Sequence, residues 1–253
     1  MDNISIDLPL PPPELRHLVG PLEDRYYDNP SGVPIWGPLD IGPLSREAAY
    51  QRVFDFGCGC GRQARQLFQQ RNPPERYVGL DINKACVTWC RENLSRPNAE
   101  FHLHDVWNPV YAPENTRRPY TQISQHGRDF TIINAHSVFT HLLEHQAAYY
   151  LNEFAKMLDD RGIVRTTWFF FNRALFPPLA PHQHCLYLQV EDPTQAVYYD
   201  WTFFQELVKA SNFKIVKVVW SGLMGFQHEV YLARGAEFND ISAELHPMNT
   251  AGY

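Results

Sequence analysis

From residue 50 onward, short apolar runs alternate with stretches whose apolar positions recur every three or four residues. Arg52-Val53-Phe54-Asp55-Phe56 is a brief apolar run closed by a glycine cluster, the pattern of a buried strand. A helical stretch follows from Arg62 to about Gln70 and is stopped by Pro73 and Pro74. Tyr77-Val78-Gly79-Leu80-Asp81 makes a second strand, and Asn83 to Leu94 a second helix. Glu100 to His104 is a third strand. A polar, proline-bearing connection then runs through 107–128 to a fourth strand, Phe130 to Ala135. Ala147, Tyr150, Leu151, Phe154, Met157 and Leu158 recur at helical spacing. Asp160-Arg161-Gly162 closes that helix, and Ile163 to Phe171 is a fifth strand.

Strands that alternate with helices at this spacing are joined by crossovers, which makes the sheet mostly parallel and doubly wound. Near the C-terminus the order changes. A helix capped by Asp200, with Trp201, Phe204, Leu207 and Val208 inward, leads to a sixth strand, Phe213 to Trp220. Only Ser221 to Glu229 separates it from a seventh, Val230 to Ala233. That interval is too short for a helical crossover, so these two strands are antiparallel. The expected fold is therefore α/β: a Rossmann-like, doubly wound, seven-stranded sheet, mostly parallel with an antiparallel last strand. It occupies residues 51–235, behind an N-terminal extension over 1–50 and ahead of a polar tail over 236–253.

Composition narrows the function classes. The 253 residues carry 22 Lys+Arg against 28 Asp+Glu, a net charge of −6 with no basic stripe, which argues against nucleic-acid binding through phosphate neutralisation. No apolar run reaches the roughly 18–20 residues that span a bilayer, so no membrane association is expected. The start, MDNISIDLPLPPPEL, lacks a basic region followed by a long apolar core and does not read as a secretory signal. The five cysteines (Cys58, Cys60, Cys86, Cys90 and Cys185) are an odd count and read as reduced thiols of a cytoplasmic protein. C-x-C and C-x3-C are poor zinc spacings, so no metal is expected.

The candidate chemistry begins at Val53-Phe54-Asp55-Phe56-Gly57-Cys58-Gly59-Cys60-Gly61-Arg62. Glycines between a buried strand and a helix let a ligand approach the backbone and the free N–H groups of the helix start. The dinucleotide fingerprint wants glycine where Arg62 stands, which disfavours a nicotinamide-dependent oxidoreductase. No Gly-Lys-Ser/Thr follows, so it is not a Walker loop either. The G-x-G-x-G spacing with Asp55 before it resembles motif I of the class I S-adenosylmethionine (SAM)-dependent methyltransferases, and the resemblance extends over roughly residues 50–235.

That resemblance implies the cofactor, SAM, with S-adenosylhomocysteine as product, and a set of contacts. Gly57, Cys58, Gly59 and Gly61 would line the methionine end. Asp81, with Ile82 beside it, would accept the ribose hydroxyl protons. Asp105, followed by Val106, would meet adenine, and Asn134 would offer backbone contacts at the end of the fourth strand. Asp55 has two readings, direct contact with the ligand's amino group or support of the glycine loop. Asn134-Ala135-His136-Ser137-Val138-Phe139-Thr140-His141-Leu142 resembles the Ser-Val-Phe-Thr-His-Leu run of a subgroup rich in small-molecule and sugar enzymes. His136 and His141 are candidate general bases, with helix packing as the competing role for His141.

The resulting expectation is a methyltransferase acting on a small molecule or sugar, at a hydroxyl oxygen, as a monomer or homodimer. Transfer to the nitrogen of a peptide or amine, and a non-catalytic SAM-binding module, are the alternatives. Two segments stand outside the core pattern. Nine of the 20 prolines fall in the first 50 residues, together with Tyr26, Tyr27 and Trp36, which reads as a lid. Residues 168–204 hold 11 aromatics in 37 positions: Trp168, Phe169, Phe170 and Phe171 read as strand-five core, and those of the long connection after it, including Phe176, Tyr187, Tyr198 and Tyr199, as one wall of the acceptor pocket or as core or oligomer packing. His182, His184 and His228 lack a clear third partner for a metal site.

Overall fold

The structure is a computed structural model and describes residues 8–37, 39, 41, 48–221 and 226–245. The first seven residues, where no secretory signal was expected, and 246–253 of the expected tail lie outside the described residues. So do 38, 40 and 42–47 of the proline-rich extension.

After an N-terminal helix, α1 (Pro13–Val19), the chain alternates β1 (Arg52–Phe56), α2 (Arg62–Phe68), β2 (Arg76–Asp81), α3 (Lys84–Asn93) and β3 (Ala99–Leu103). β4 (Phe130–Ala135), α4 (Glu144–Met157) and β5 (Leu158–Phe171) follow. β6 (Cys185–Tyr187), β7 (Val197–Asp200), α5 (Trp201–Ala210), β8 (Lys214–Val219) and β9 (His228–Ala233) complete the order. The sheet runs β3-β2-β1-β4-β5, and β5 then takes two partners in succession: antiparallel β9 along Val164–Trp168 and parallel β7 along Phe169–Phe171. β8 pairs antiparallel with β9, and β6 with β7. The seven expected strands are all present, in the order β3-β2-β1-β4-β5-β9-β8, with the last one antiparallel.

Two features differ from the sequence pattern. β5 begins at Leu158 instead of Ile163. Leu158 leaves the helix with φ −75° and ψ 135°, and the Asp159 carboxylate accepts the Arg161 N–H, so the chain extends at once instead of turning at Gly162. β6 and β7 are additional strands within the aromatic-rich connection. At three and four residues they are too short for a periodic pattern to register.

By packing, the chain divides into two compact units: Met1–Asp40 with Leu44–Thr121 and Asp129–Asn134, and Ile41–Pro43 with Gln122–Arg128 and Ala135–Tyr253. The core of the first is Val53, Phe54, Tyr77, Val78, Leu80, Ile132 and Ile133, with Phe68 and Phe101 set against the Tyr77 ring. α2 and the two residues after it carry buried polar side chains, Arg65, Gln69 and Gln70, and each has a backbone partner in the extension. Arg65 donates to the Leu8 and Tyr27 carbonyls and to Asp28. Gln69 accepts the Asn29 N–H, and Gln70 accepts the Ile35 N–H at 3.0 Å. Each such bond contributes about 1 kcal/mol net, and together they seat residues 8–37 along α2.

In the second unit, Trp168 is fully buried among Phe139, Tyr199 and Phe204, with ring centroids 4.4, 4.9 and 4.8 Å away. Phe139 also meets Phe154 of α4. Asp200 caps α5 by accepting the Phe203 N–H at 3.0 Å. Among the described residues no helix is long and apolar enough to cross a membrane.

Candidate functional site

β1 ends in a loop whose three glycines, Gly57, Gly59 and Gly61, all have left-handed φ values, 82°, 54° and 77°. Two of them also have no room for a side chain. A Cβ on Gly59 would lie 2.6 Å from Val19 Cγ1 of α1. One on Gly61 would lie 2.4 Å from Leu94 Cδ1 and 3.1 Å from Cys90 Sγ. The backbone is pinned from the next strand. The N–H groups of Gly57 and Cys58 donate to the Leu80 carbonyl at 2.7 and 3.1 Å, and Gly59 N–H donates to Asp81 Oδ2 at 2.7 Å. Gly61→Ala should destabilise the fold by about 2 kcal/mol, from left-handed strain plus crowding against Leu94 and Cys90. Urea unfolding is the measurement, and a loss below about 0.5 kcal/mol would show that the loop adapts.

Asp81 sits half-buried at the end of β2. Its Oδ1 accepts the Asn83 N–H at 2.7 Å while Oδ2 holds Gly59. Desolvation raises its pKa to about 6, opposed by these backbone donors. Each oxygen has a second lone pair, so the carboxylate can still accept a pair of hydroxyl protons.

Asp55 is almost wholly buried. Its Oδ2 accepts the Tyr77 hydroxyl at 2.7 Å and its Oδ1 accepts Asn134 Nδ2 at 2.7 Å. These two partners lie on the neighbouring strands, β2 and β4. Asn134, also buried, donates in addition to Gln63 Oε1 of α2 at 2.6 Å and so ties β4 to the helix behind the glycines.

Asp105 is turned toward the following connection. Oδ1 accepts the Thr116 N–H at 2.9 Å and Oδ2 the Thr116 hydroxyl at 2.5 Å, and these bonds hold its pKa below the usual value. Asn115 was not singled out from sequence. Its Nδ2 donates to the carbonyls of Ile82 (2.9 Å) and Val106 (3.1 Å) and so staples together the segments after β2 and β3. No local pattern marks it, because it lies in a polar connection whose partners are remote in sequence.

The four cysteines of this unit are buried below the loop. The thiols of Cys58 and Cys90 are hydrogen-bonded, as are those of Cys60 and Cys86. The bond with Cys90, and burial, push the Cys58 thiol well up. Small buried thiols at these positions let α3 approach the loop closely.

In the second unit, His136 follows β4 and lies half-buried with Nδ1 3.4 Å from Arg165 Nη1. Arg165, itself buried, holds Glu229 through Nη2–Oε1 at 2.7 Å and Nε–Oε2 at 3.2 Å. Ser137 has φ 57°, unusual for a residue with a side chain, and its N–H donates to Thr167 Oγ1 at 2.7 Å. Its hydroxyl meets the Gln227 amide. By register, Arg165 and Thr167 stand opposite Tyr231 and Glu229, which makes one face of the β5–β9 pair polar.

His141 is placed differently. Its Nδ1 meets the Thr194 carbonyl at 2.9 Å, burial lowers its pKa, and the ring fastens the turn at Pro193–Gln195. His228 Nδ1 accepts the Ser221 N–H at 2.9 Å and its ring stacks on Phe170. His184 stacks on Phe203. Among the described residues, no three or more His, Cys, Asp or Glu are grouped to hold a metal. Trp168 is buried as expected of the strand-five core; of the aromatics expected as a pocket wall, Tyr199 is buried, Tyr198 stacks on Phe169, and Phe176 and Tyr187 are exposed.

The strand order is that of a doubly wound α/β domain, with a left-handed glycine loop after β1 and an acid at the end of β2. Residues 53–162 match the family model described as "Methyltransferase domain", and this part of the chain is similar to the class I SAM-dependent methyltransferases, whose ligands are SAM and S-adenosylhomocysteine. It is 36% identical over 87 residues to the trans-aconitate 2-methyltransferase of Variovorax paradoxus, a stretch covering 34% of this chain and 31% of that protein. The chain thus matches about a third of that relative's length. The solved mitomycin 7-O-methyltransferase is similar in fold, with TM-score 0.50 and 14% identity over 74% of this chain and 50% of that one.

Proposed function

We propose that the chain transfers the methyl group of SAM to an oxygen of a small molecule. The observation that carries this reading is Asp81, one carboxylate that fixes the Gly59 N–H while keeping lone pairs for a ribose. Gly57, Cys58, Gly59 and Gly61 would line the methionine end by backbone, where the left-handed glycines leave no side chain in the way. Ile82, Asp105, Val106 and Asn115 would border the adenine side, and Asn134 and Asp55 would support the loop. His136 and His141 would be the candidate general bases. The cofactor supplies an activated methyl when bound, so the protein's own work is alignment and exclusion of water.

Residues 8–37 support the lid reading, because Val19 packs against Gly59 and the segment is fastened along α2. Acceptor chemistry follows the small-molecule relatives, one acting on trans-aconitate and one named for 7-O-methylation of mitomycin.

The test is calorimetric titration with S-adenosylhomocysteine, followed by transfer of labelled methyl from SAM. The pH dependence follows from Asp81. Its protonated form, favoured below about pH 6, has lost an acceptor, so affinity should fall about tenfold between pH 7 and pH 5. At pH 6, binding should release up to about half a proton, and at pH 8 none, read from titrations in buffers of different ionisation heat. A pH-independent affinity would remove Asp81 from the ribose site.

A further inference from the structure

No thiol takes part in the chemistry above, yet four of them are buried under the glycine loop in two hydrogen-bonded pairs. The pairs differ in what surrounds them. Cys58 and Cys90 lie toward the sheet: a Cβ on Gly79 of β2 would be 3.0 Å from Cys58 Sγ, and the charges of Asp81 and Asp55 oppose a thiolate there. The Cys90 thiol also donates to the Gly59 carbonyl at 3.5 Å. Cys60 and Cys86 lie toward the extension instead. With Tyr27 they form one buried cluster, covered by Leu10, Leu15 and Val19. The Tyr27 hydroxyl is 3.8 Å from Cys60 Sγ.

We propose that Cys60 and Cys86 are an oxidation site, at which a hydroperoxide converts the pair to a disulfide and so weakens the hold of the glycine loop on SAM. The effect on SAM rests on the cofactor reading of the loop; the oxidation does not.

Two donors aim at one sulfur. The Cys86 thiol, and after it the Tyr27 hydroxyl, favour the Cys60 thiolate and hold its pKa below that of an ordinary thiol, against burial and the charge of Asp81. Cys86, as the donor, is pushed up. One sulfur is therefore the nucleophile and the other a neutral thiol beside it. The Cys60 thiolate attacks an oxygen of the hydroperoxide, the O–O bond breaks, and the leaving oxygen takes up the proton that the thiol gave away. The Cys86 sulfur then attacks the sulfenic acid on Cys60. The S–S bond forms as the hydroxyl leaves with the Cys86 proton as water. Two electrons pass from the two thiols to the peroxide, which ends as one alcohol and one water.

Burial delays this reaction without forbidding it, because the cover is the extension and not the sheet. Residues 8–37 are fastened along α2 by the bonds of Arg65, Gln69 and Gln70, and opening such a segment costs less than unfolding the core. The consequence for the loop follows from its lack of slack. Cys60 stands between Gly59, crowded by Val19, and Gly61, crowded by Leu94 and Cys90. A disulfide brings the sulfurs to about 2.05 Å, closer than any hydrogen-bonded pair. The loop must follow Cys60 toward α3, which strains the 2.7 Å bond from Gly59 N–H to Asp81.

Hydrogen peroxide is the probe. The reduced protein is treated with it, remaining thiols are alkylated, and tryptic peptides are read by mass spectrometry. Peptide 53–62 linked to peptide 85–91 is expected, with tandem fragmentation placing the bond between Cys60 and Cys86. Each peptide also holds a thiol of the other pair, so Cys58→Ala/Cys90→Ala is run beside the wild type and should give the same link. No link in the wild type, or one that fragmentation places at Cys58 or Cys90, overturns the proposal. In Cys86→Ala the reaction should stop at the sulfenic acid, which dimedone traps on Cys60; no adduct there overturns the assigned nucleophile. Arg65→Met loosens the cover and should speed the linkage at least fivefold, and an unchanged rate overturns the extension as its gate.

Calorimetry of the wild type with S-adenosylhomocysteine reads the consequence. Affinity should fall at least tenfold on oxidation and return with dithiothreitol. Unchanged affinity in a fully linked sample overturns the effect on the cofactor. Absence of binding by the reduced protein would instead remove the SAM reading, while the link and the dimedone adduct still decide the oxidation site.

Discussion

Asp81→Ala is expected to weaken binding of S-adenosylhomocysteine by about 3 kcal/mol, roughly two powers of ten in affinity. Two losses add. The ribose hydroxyls lose a charged acceptor, worth about 1.5–3 kcal/mol for hydrogen bonds of this kind. The Gly59 N–H loses the oxygen that holds it at 2.7 Å, so the loop must be reordered when ligand arrives. The two are separable. Asp81→Asn keeps the shape and one carbonyl oxygen, and so retains a partner for Gly59 or for a hydroxyl but not both at full strength. It should fall between wild type and Ala. Stability should respond less than binding. The pKa of about 6 means that the folded protein favours the protonated acid relative to an ordinary carboxylate, so stability contributed by that preference is lost as pH rises from about 4 to 6. At pH 7.5 the charged side chain is already a partial liability of the fold, and its removal costs the ligand more than the protein. Calorimetry that finds Asp81→Ala within threefold of wild type would refute the ribose assignment.

The elements legible in the sequence are those whose physics is local. β1 and β4 coincide with the apolar runs Arg52–Phe56 and Phe130–Ala135, since a strand buried on both faces and bounded by turns leaves a continuous apolar signature. Asp200 was readable as a helix cap because a cap is a one-residue interaction with the next turn. The glycine loop was readable because its left-handed backbone demands a residue type. What stayed hidden depends on partners far apart in the chain. Arg165 was only a charged residue inside an apolar strand, and Glu229, which pairs with it, lies 64 positions further on. Asn115 looks like any loop asparagine until the carbonyls of Ile82 and Val106 come to it. Gln69 and Gln70 read as the fraying end of α2 and are in fact buried beneath the extension. The motif residues shared the same ambiguity. Asp55 reads as facing ligand or loop, and its bonds to Tyr77 and Asn134 depend on strands 22 and 79 positions further along the chain.

The largest effect on stability is expected at Trp168, in the strand-five core at the head of the aromatic-rich segment. Trp168→Ala removes a side chain with no exposed surface, in contact with Phe139, Tyr199 and Phe204. Truncating a buried aromatic costs about 3–5 kcal/mol, and the edge-to-face pairs with Tyr199 and Phe204 place this one at the upper end. The Trp168 Nε1–H also donates to Thr166 Oγ1 at 2.7 Å. Thr166 keeps a second partner in the Val230 carbonyl at 3.3 Å, so the lost bond adds little to the cavity term. Against a total stability of about 5–15 kcal/mol, the Ala variant should unfold at a markedly lower urea concentration. Trp168→Phe fills most of the space and should cost about half as much. A pocket-wall residue would behave in the opposite way, with a small change in unfolding midpoint and a raised KM for the acceptor. Alternation along β5 supports the core reading, because Trp168 lies on the face opposite Arg165 and Thr167. One strand therefore divides by parity: even positions 166, 168 and 170 face the buried aromatic core, and odd positions 165 and 167 carry polar side chains on the other face. Trp168→Phe should accordingly lower the unfolding midpoint while leaving the affinity for S-adenosylhomocysteine as it is in wild type.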